Sequence, residues 1–197
     1  MENIHYETLI TTVNLILKEK HSHEDKHSEN VSKICVKMAQ LMSRFTPHEI
    51  DMLKWGCLLH DSGKIFIEDD LINAPRPLTL AENKIMETHT VMGRDFLTNM
   101  GCDPIIISIA HYHHINEDGS GYPRSKSDGS IFPGMVRVAD TYDAMTSNRV
   151  YKFPASSEEA IQVLEAESGT IFNAEAVFFL KLAIAEIEQE KESDEYR

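Results

Sequence analysis

An all-α fold, a compact bundle of several helices, is the architecture this sequence predicts. Apolar residues recur at spacings of three and four, the period-2 alternation of a half-buried strand is scarce, and helix start signals recur along the chain. The one long stretch outside that spacing is dense in turn formers, as expected of a bundle with one large loop.

Taken in order, Leu9, Val13, Ile16 and Leu17 mark a first amphipathic helix within residues 1–20, and Val31, Ile34, Cys35, Met38 and Leu41 mark a second. Thr46-Pro47-His48-Glu49 and Thr79-Leu80-Ala81-Glu82 both fit a capping box, the first with proline at the first helical position, and Ser156 to Glu159 repeats the pattern. Asp103-Pro104 opens a further helix. Between about 115 and 130 the run Asn-Glu-Asp-Gly-Ser-Gly-Tyr-Pro, followed by Lys-Ser-Asp-Gly-Ser, reads as a loop. With no internal repeat and no low-complexity linker, residues 1–197 are expected to form one domain.

Composition narrows the function. A chain of 197 residues with 42% hydrophobic and 26% charged residues is ordinary for a soluble globular domain. Its net charge of −13 excludes the broad basic surface that grips long nucleic acid. Six acids (Glu186, Glu188, Glu190, Glu192, Asp194, Glu195) crowd residues 186–197, which predicts a solvated helix end. An anionic substrate would therefore be held by metals and a few placed cations. Cys35, Cys57 and Cys102 form no CxxC pair and read as buried thiols of a reduced compartment. The start of the chain has no basic region followed by an apolar run, and no stretch is long and apolar enough to span a bilayer, so a cytoplasmic location is expected.

Seven potential metal ligands fall on this framework: His27, His60, Asp61, His89, His113, His114 and Asp140. His27 precedes Val31, Ile34 and Met38 on one stripe, and Ile50, Leu53 and Cys57 lead to His60. Ile85 leads to His89 and then Phe96, Ile106 and Ala110 to the paired histidines, and Val136 to Asp140 one turn on. Five helices thus aim polar groups inward. A single histidine on an apolar stripe is more commonly a hydrogen-bonded core residue. Two inward carboxylates are another matter, since a buried carboxylate without a partner is costly. A pair of divalent metals would neutralise the carboxylates and use the imidazole lone pairs together. His5, His21 and His48, near polar helix starts or connections, are expected at the surface.

Adjacent His60 and Asp61 suit a shared site, because the ring can address one metal while the carboxylate spans two. A bridging carboxylate holds two cations about 3.5–4 Å apart, the separation at which one hydroxide can bridge both. Asp61 is the expected bridge.

His60-Asp61-Ser62-Gly63-Lys64 resembles the HDxGK signature of the HD-domain metal-dependent phosphohydrolases. His113-His114-x-x-x-Asp118-Gly119-x-Gly121-Tyr122-Pro123 resembles the longer and more specific HHxxxDGxGYP signature of their HD-GYP subgroup. The resemblance runs from about residue 20 to 185, through Ala139-Asp140-Thr141-Tyr142-Asp143-Ala144-Met145-Thr146-Ser147 to Arg149-Val150-Tyr151-Lys152, and includes none of the receiver or sensor domains often attached to the family. It implies a helical bundle of the HD-domain type that hydrolyses cyclic dinucleotides, chiefly cyclic di-GMP to pGpG and in some members onward to GMP, with iron or manganese as the usual metals. It implies metal binding at the seven positions above, catalytic roles for Asp61 and Lys64, and phosphate or guanine contacts at Lys64, Arg149 and Lys152. Tyr122 would line the substrate pocket, and the Gly-Tyr-Pro loop would be a surface for diguanylate cyclase (GGDEF) domains.

One departure affects the metal count. Members with three metals carry a glutamate four residues before the first histidine, and His23 stands there in this chain, with Glu24 one residue out of register. His23 is an optional extra ligand, and the expectation is two metals. Ile115 replaces an acidic residue common after the paired histidines, a neighbour of the site and not a ligand. Cyclic GMP-AMP, another nucleotide, or a silent dinucleotide-sensing module are the alternatives to cyclic di-GMP hydrolysis.

Overall fold

The computed structural model describes residues 2–20, 26–147 and 153–195, and over these the chain is helical with no strand. The helices are α1 (Glu2–Lys20), α2 (His27–Met42), α3 (Pro47–Leu59), α4 (Asp69–Ile72), α5 (Leu80–Glu87), α6 (His89–Asn99), α7 (Pro104–Tyr112), α8 (Phe132–Thr146), α9 (Ser157–Ala166) and α10 (Ala174–Glu195), with a 3-10 turn over Ser62–Phe66. The three capping boxes form as read: Thr46, Thr79 and Ser156 each accept from the backbone N–H three residues on, and Glu49, Glu82 and Glu159 reach back.

Two apolar clusters meet along α3 and α7. The larger collects Val31, Ile34 and Met38 of α2, Leu53 and Cys57 of α3, Ile109 of α7, Val136 and Ala139 of α8, and Leu180 and Ile184 of α10. The smaller joins Tyr6, Leu9 and Val13 of α1 to Leu59, Leu97 and Ile106. Tyr6 also stacks on Trp55 at 4.5 Å and accepts the Asp103 N–H at 2.8 Å, which fastens α1 to the start of α7. Between α3 and α7 the contact is tight at Gly56, where a Cβ would lie 2.4 Å from Ile109 Cδ1. His60 and His113 stand one turn beyond these two residues, so that contact fixes how closely the two rings approach.

The stripe that runs from Ile85 through His89 is divided between α5 and α6 at Thr88. There the His89 ring takes the Met86 carbonyl and the Thr90 hydroxyl takes the Glu87 carbonyl, acceptors that an uninterrupted helix would give to backbone N–H groups. The acidic end is more anchored than a solvated tail: α10 is continuous to Glu195, buries Ile187, and sets Glu186 and Glu190 on Lys37 of α2. Among the described residues no helix is long and apolar enough to cross a membrane.

Candidate metal centre

The seven candidate ligands converge in two groups, His27 with His60 and Asp140, and Asp61 with His89, His113 and His114. Each arrives from a helix or its end: His27 opens α2, His60 caps the C-terminus of α3 with Asp61 next, His89 opens α6, His113 caps α7 with His114 next, and Asp140 lies within α8. Asp61 faces both groups. Its Oδ2 lies 3.3 Å from His60 Nε2, and its Oδ1 lies 3.3 Å from His89 Nε2 and 3.8 Å from His113 Nε2.

The outer ring nitrogens decide which nitrogen is available inside. Nδ1 of His60 meets the Cys57 carbonyl at 2.7 Å, that of His89 the Met86 carbonyl at 2.7 Å, and that of His113 the Ile109 carbonyl at 3.0 Å. Carbonyl oxygens only accept, so these Nδ1 atoms carry protons and the Nε2 lone pairs point inward. Inside, His60 Nε2 and Asp61 Oδ1 are buried without a hydrogen-bond partner, and His89 Nε2 faces His113 Nε2 at 3.5 Å. Buried lone pairs turned on one another are costly unless a cation lies between them. A mixed imidazole and carboxylate set of this kind suits divalent transition metals, so the residues present fit such ions.

The charge states agree. Burial disfavours an ionised Asp61, yet the Lys64 ammonium and then the His60 ring outweigh it and hold the carboxyl well below the usual range. Asp140 is half-buried, and the His27 and His60 rings beside it hold its carboxyl low. Burial opposes a charged His60, but Asp61 prevails and raises it. Burial lowers His89 and His113, and burial with His89 beside it lowers His114 to about 3. Ionised carboxylates and neutral imidazoles are the forms that bind metal: the two carboxylates and the rings of His89, His113 and His114 are held in them, whereas His60, raised by Asp61, would give up a proton on binding.

Lys64 sets its Nζ 2.6 Å from Asp61 Oδ2 at the edge of the site. The turn that carries it is pressed on α6: a Cβ on Gly63 would lie 1.9 Å from the His89 carbonyl oxygen, so only glycine permits the approach that brings Asp61 to His89. The loop after His114 folds back in the same way. Gly121 has φ +88°, a Cβ there would meet the His114 carbonyl at 2.2 Å, and the Tyr122 ring stacks on His114 with centroids 4.5 Å apart. Tyr122 thereby walls the second ligand group, and burial, then Asp61, raises its phenol. Asp118 instead accepts the Ser120 N–H at 2.8 Å and serves the turn.

Arg149, Lys152 and His23 lie outside the described residues. Two neighbours were not anticipated from sequence. Asp143 accepts from His27 Nδ1 at 2.7 Å, and Arg137 places Nη1 3.4 Å from His114 Nδ1. Both lie three residues from Asp140 in α8, a spacing that could have flagged them.

This helical bundle gathers imidazoles and carboxylates from five helices around an HD pair into a cluster able to bind metal, and HD domain proteins are metal-dependent. The sequence model of the HD domain family matches residues 11–175, and the chain belongs to that family. Its relatives are of the HD-GYP type. It is 36% identical over 180 residues to a cyclic di-GMP phosphodiesterase of Thermotoga maritima, an alignment covering 88% of this chain and 48% of that one. It is 33% identical over 158 residues to 3'3'-cGAMP-specific phosphodiesterase 2 of Vibrio cholerae, covering 78% and 30%. Among solved structures, Bd1817, an HDG"Y"P protein of Bdellovibrio bacteriovorus, superposes with a TM-score of 0.67 at 18% identity, over 93% of this chain and 63% of that one, and so shares the fold. The chain spans about half the length of the first relative and under a third of the second.

Proposed function

We propose that this chain is a metal-dependent phosphodiesterase that hydrolyses cyclic dinucleotides, cyclic di-GMP to pGpG first among them. The observation that carries the reading is the position of Asp61, whose two oxygens face the two ligand groups separately. Two divalent cations, iron or manganese, would be held by His27, His60 and Asp140 on one side and by His89, His113 and His114 on the other, with Asp61 between them. When bound they supply a nucleophilic water near neutral pH and Lewis acidity toward a phosphoryl oxygen.

The chain's own groups do the rest. Asp61 keeps the Lys64 ammonium extended at the rim, where it can meet charge developing on a phosphate oxygen. Tyr122 offers a flat ring beside the second group, against which a nucleobase can lie. Arg149 and Lys152 complete the reading as cations for phosphate or a guanine edge. The Gly-Tyr-Pro loop, exposed over residues 117–121 and half-buried at Tyr122 and Pro123, is the surface proposed for GGDEF domains. A cytoplasmic location belongs to the same reading, supported by three free, buried cysteines.

The V. cholerae relative makes cyclic GMP-AMP the second candidate substrate. Protein purified without air, given either dinucleotide and followed by chromatography, should release pGpG from cyclic di-GMP, while Asp61→Ala should not. Faster turnover of cyclic GMP-AMP would reassign the substrate. A metal-loaded protein that binds both and cleaves neither would be a sensing module.

A further inference from the structure

His27 is held differently from the other inward histidines. The outer nitrogens of His60, His89 and His113 rest on backbone carbonyls, whereas His27 Nδ1 rests on a carboxylate, Asp143 Oδ2, at 2.7 Å. Asp143 is buried, and it is fixed from its other side: Asn30 Nδ2 donates to Oδ1 at 2.9 Å and Ser147 Oγ donates to the same oxygen at 3.1 Å. The carboxylate therefore has no freedom to turn away from the ring. On the ring's far side, Nε2 lies 3.1 Å from Asp140 Oδ1. Two carboxylates thus compete for one imidazole, and the shorter contact is with Asp143.

A proton on Nδ1, shared with Asp143, leaves the Nε2 lone pair facing Asp140 with room for a cation to serve both. A full negative charge behind the ring makes Nε2 a stronger donor than a carbonyl dipole does, and it fixes both tautomer and ring plane. We infer that Asp143 is a positioning residue for the group of His27, His60 and Asp140, and that it makes this group the tighter of the two metal sites. The inference rests on the metal-centre reading above. It concerns the order and strength of loading, which the ligand set alone does not determine.

The test is a Mn²⁺ titration of chelator-treated full chain, free Mn²⁺ being counted by its EPR signal, with the melting temperature of each metal-free variant recorded beforehand. Wild type should take up two ions with unequal affinity. Asp143→Asn removes the charge and keeps the size; it should weaken the tighter site by about 10–100-fold, leave the weaker one unchanged, and melt like wild type before metal is added. Asp143→Ala should weaken the same site at least as much. With Co²⁺ in place of Mn²⁺, the absorption bands of one ion should shift in Asp143→Asn and those of the other should not. Wild-type affinity at both sites in Asp143→Asn would overturn the inference and leave the metal centre intact. Equal weakening of both sites with a lowered metal-free melting temperature would overturn it too, reducing Asp143 to a packing role. A wild-type chain that takes up no Mn²⁺ would sink the metal-centre reading itself, and this inference with it.

Discussion

The two ligand groups use the same residue types but are backed by different chemistry. Behind His27 stands the Asp143 carboxylate, and Asp140 lies in front of it. Behind His89 and His113 stand only carbonyls, and beside His114 Nδ1 stands Arg137, which has donors and no acceptor. One half is rich in negative charge and closed by the α2–α8 contact. The other is rich in neutral imidazole and is walled by the Tyr122 loop. The difference teaches that a ligand's strength is set by what lies behind it as much as by its own identity.

The comparison can be broken most severely at the residue the halves share. Asp61→Ala should cost both sites, with metal per chain falling at each and cyclic di-GMP cleavage reduced by about 10²–10³-fold or more in chromatographic assays. Full metal content with full turnover would remove Asp61 from the bridge. Next in size is Gly63→Ala, which drives a methyl group into the His89 backbone. A loss of about 1–3 kcal/mol in urea unfolding is expected, with the imidazole-rich half weakened more than the carboxylate-rich half. Overpacking that left Mn²⁺ affinity at both sites unchanged would contradict the idea that this glycine sets the distance from Asp61 to His89.

A direct contrast comes from truncating one ligand on each side. His27→Ala should weaken its site by about tenfold more than His114→Ala weakens the other, because only His27 has a carboxylate behind it. Equal losses in the Mn²⁺ titration would erase the asymmetry. The smallest change expected is Thr79→Ala, which removes the cap of α5 ahead of the His89 helix. About 1 kcal/mol of unfolding free energy should be lost, with metal uptake the same as in wild type.

How much of this was legible in the sequence depended on whether the cause was local. Capping boxes at Thr46, Thr79 and Ser156 formed as read because they involve residues three apart. Helical periodicity turned His27, His60, His113 and Asp140 inward for the same reason, since each follows or precedes apolar neighbours by one turn. The division at Thr88 was not legible: no glycine or proline marks it, and it comes from the His89 ring and the Thr90 hydroxyl capturing two carbonyls. Nor was the pairing of Asp143 with His27, which lies 116 positions away in the chain, although its spacing of three from Asp140 placed it near the site. The HD-GYP resemblance supplied the family and the proposed reaction, whereas the different backing of the two halves came from the outer nitrogens, which no motif describes.

The most direct measurement is anomalous diffraction from crystals grown with Mn²⁺. The account predicts two metal peaks per chain, one against His27, His60 and Asp140 and one against His89, His113 and His114, with Asp61 touching both. A single peak, or two peaks that do not share Asp61, would contradict it.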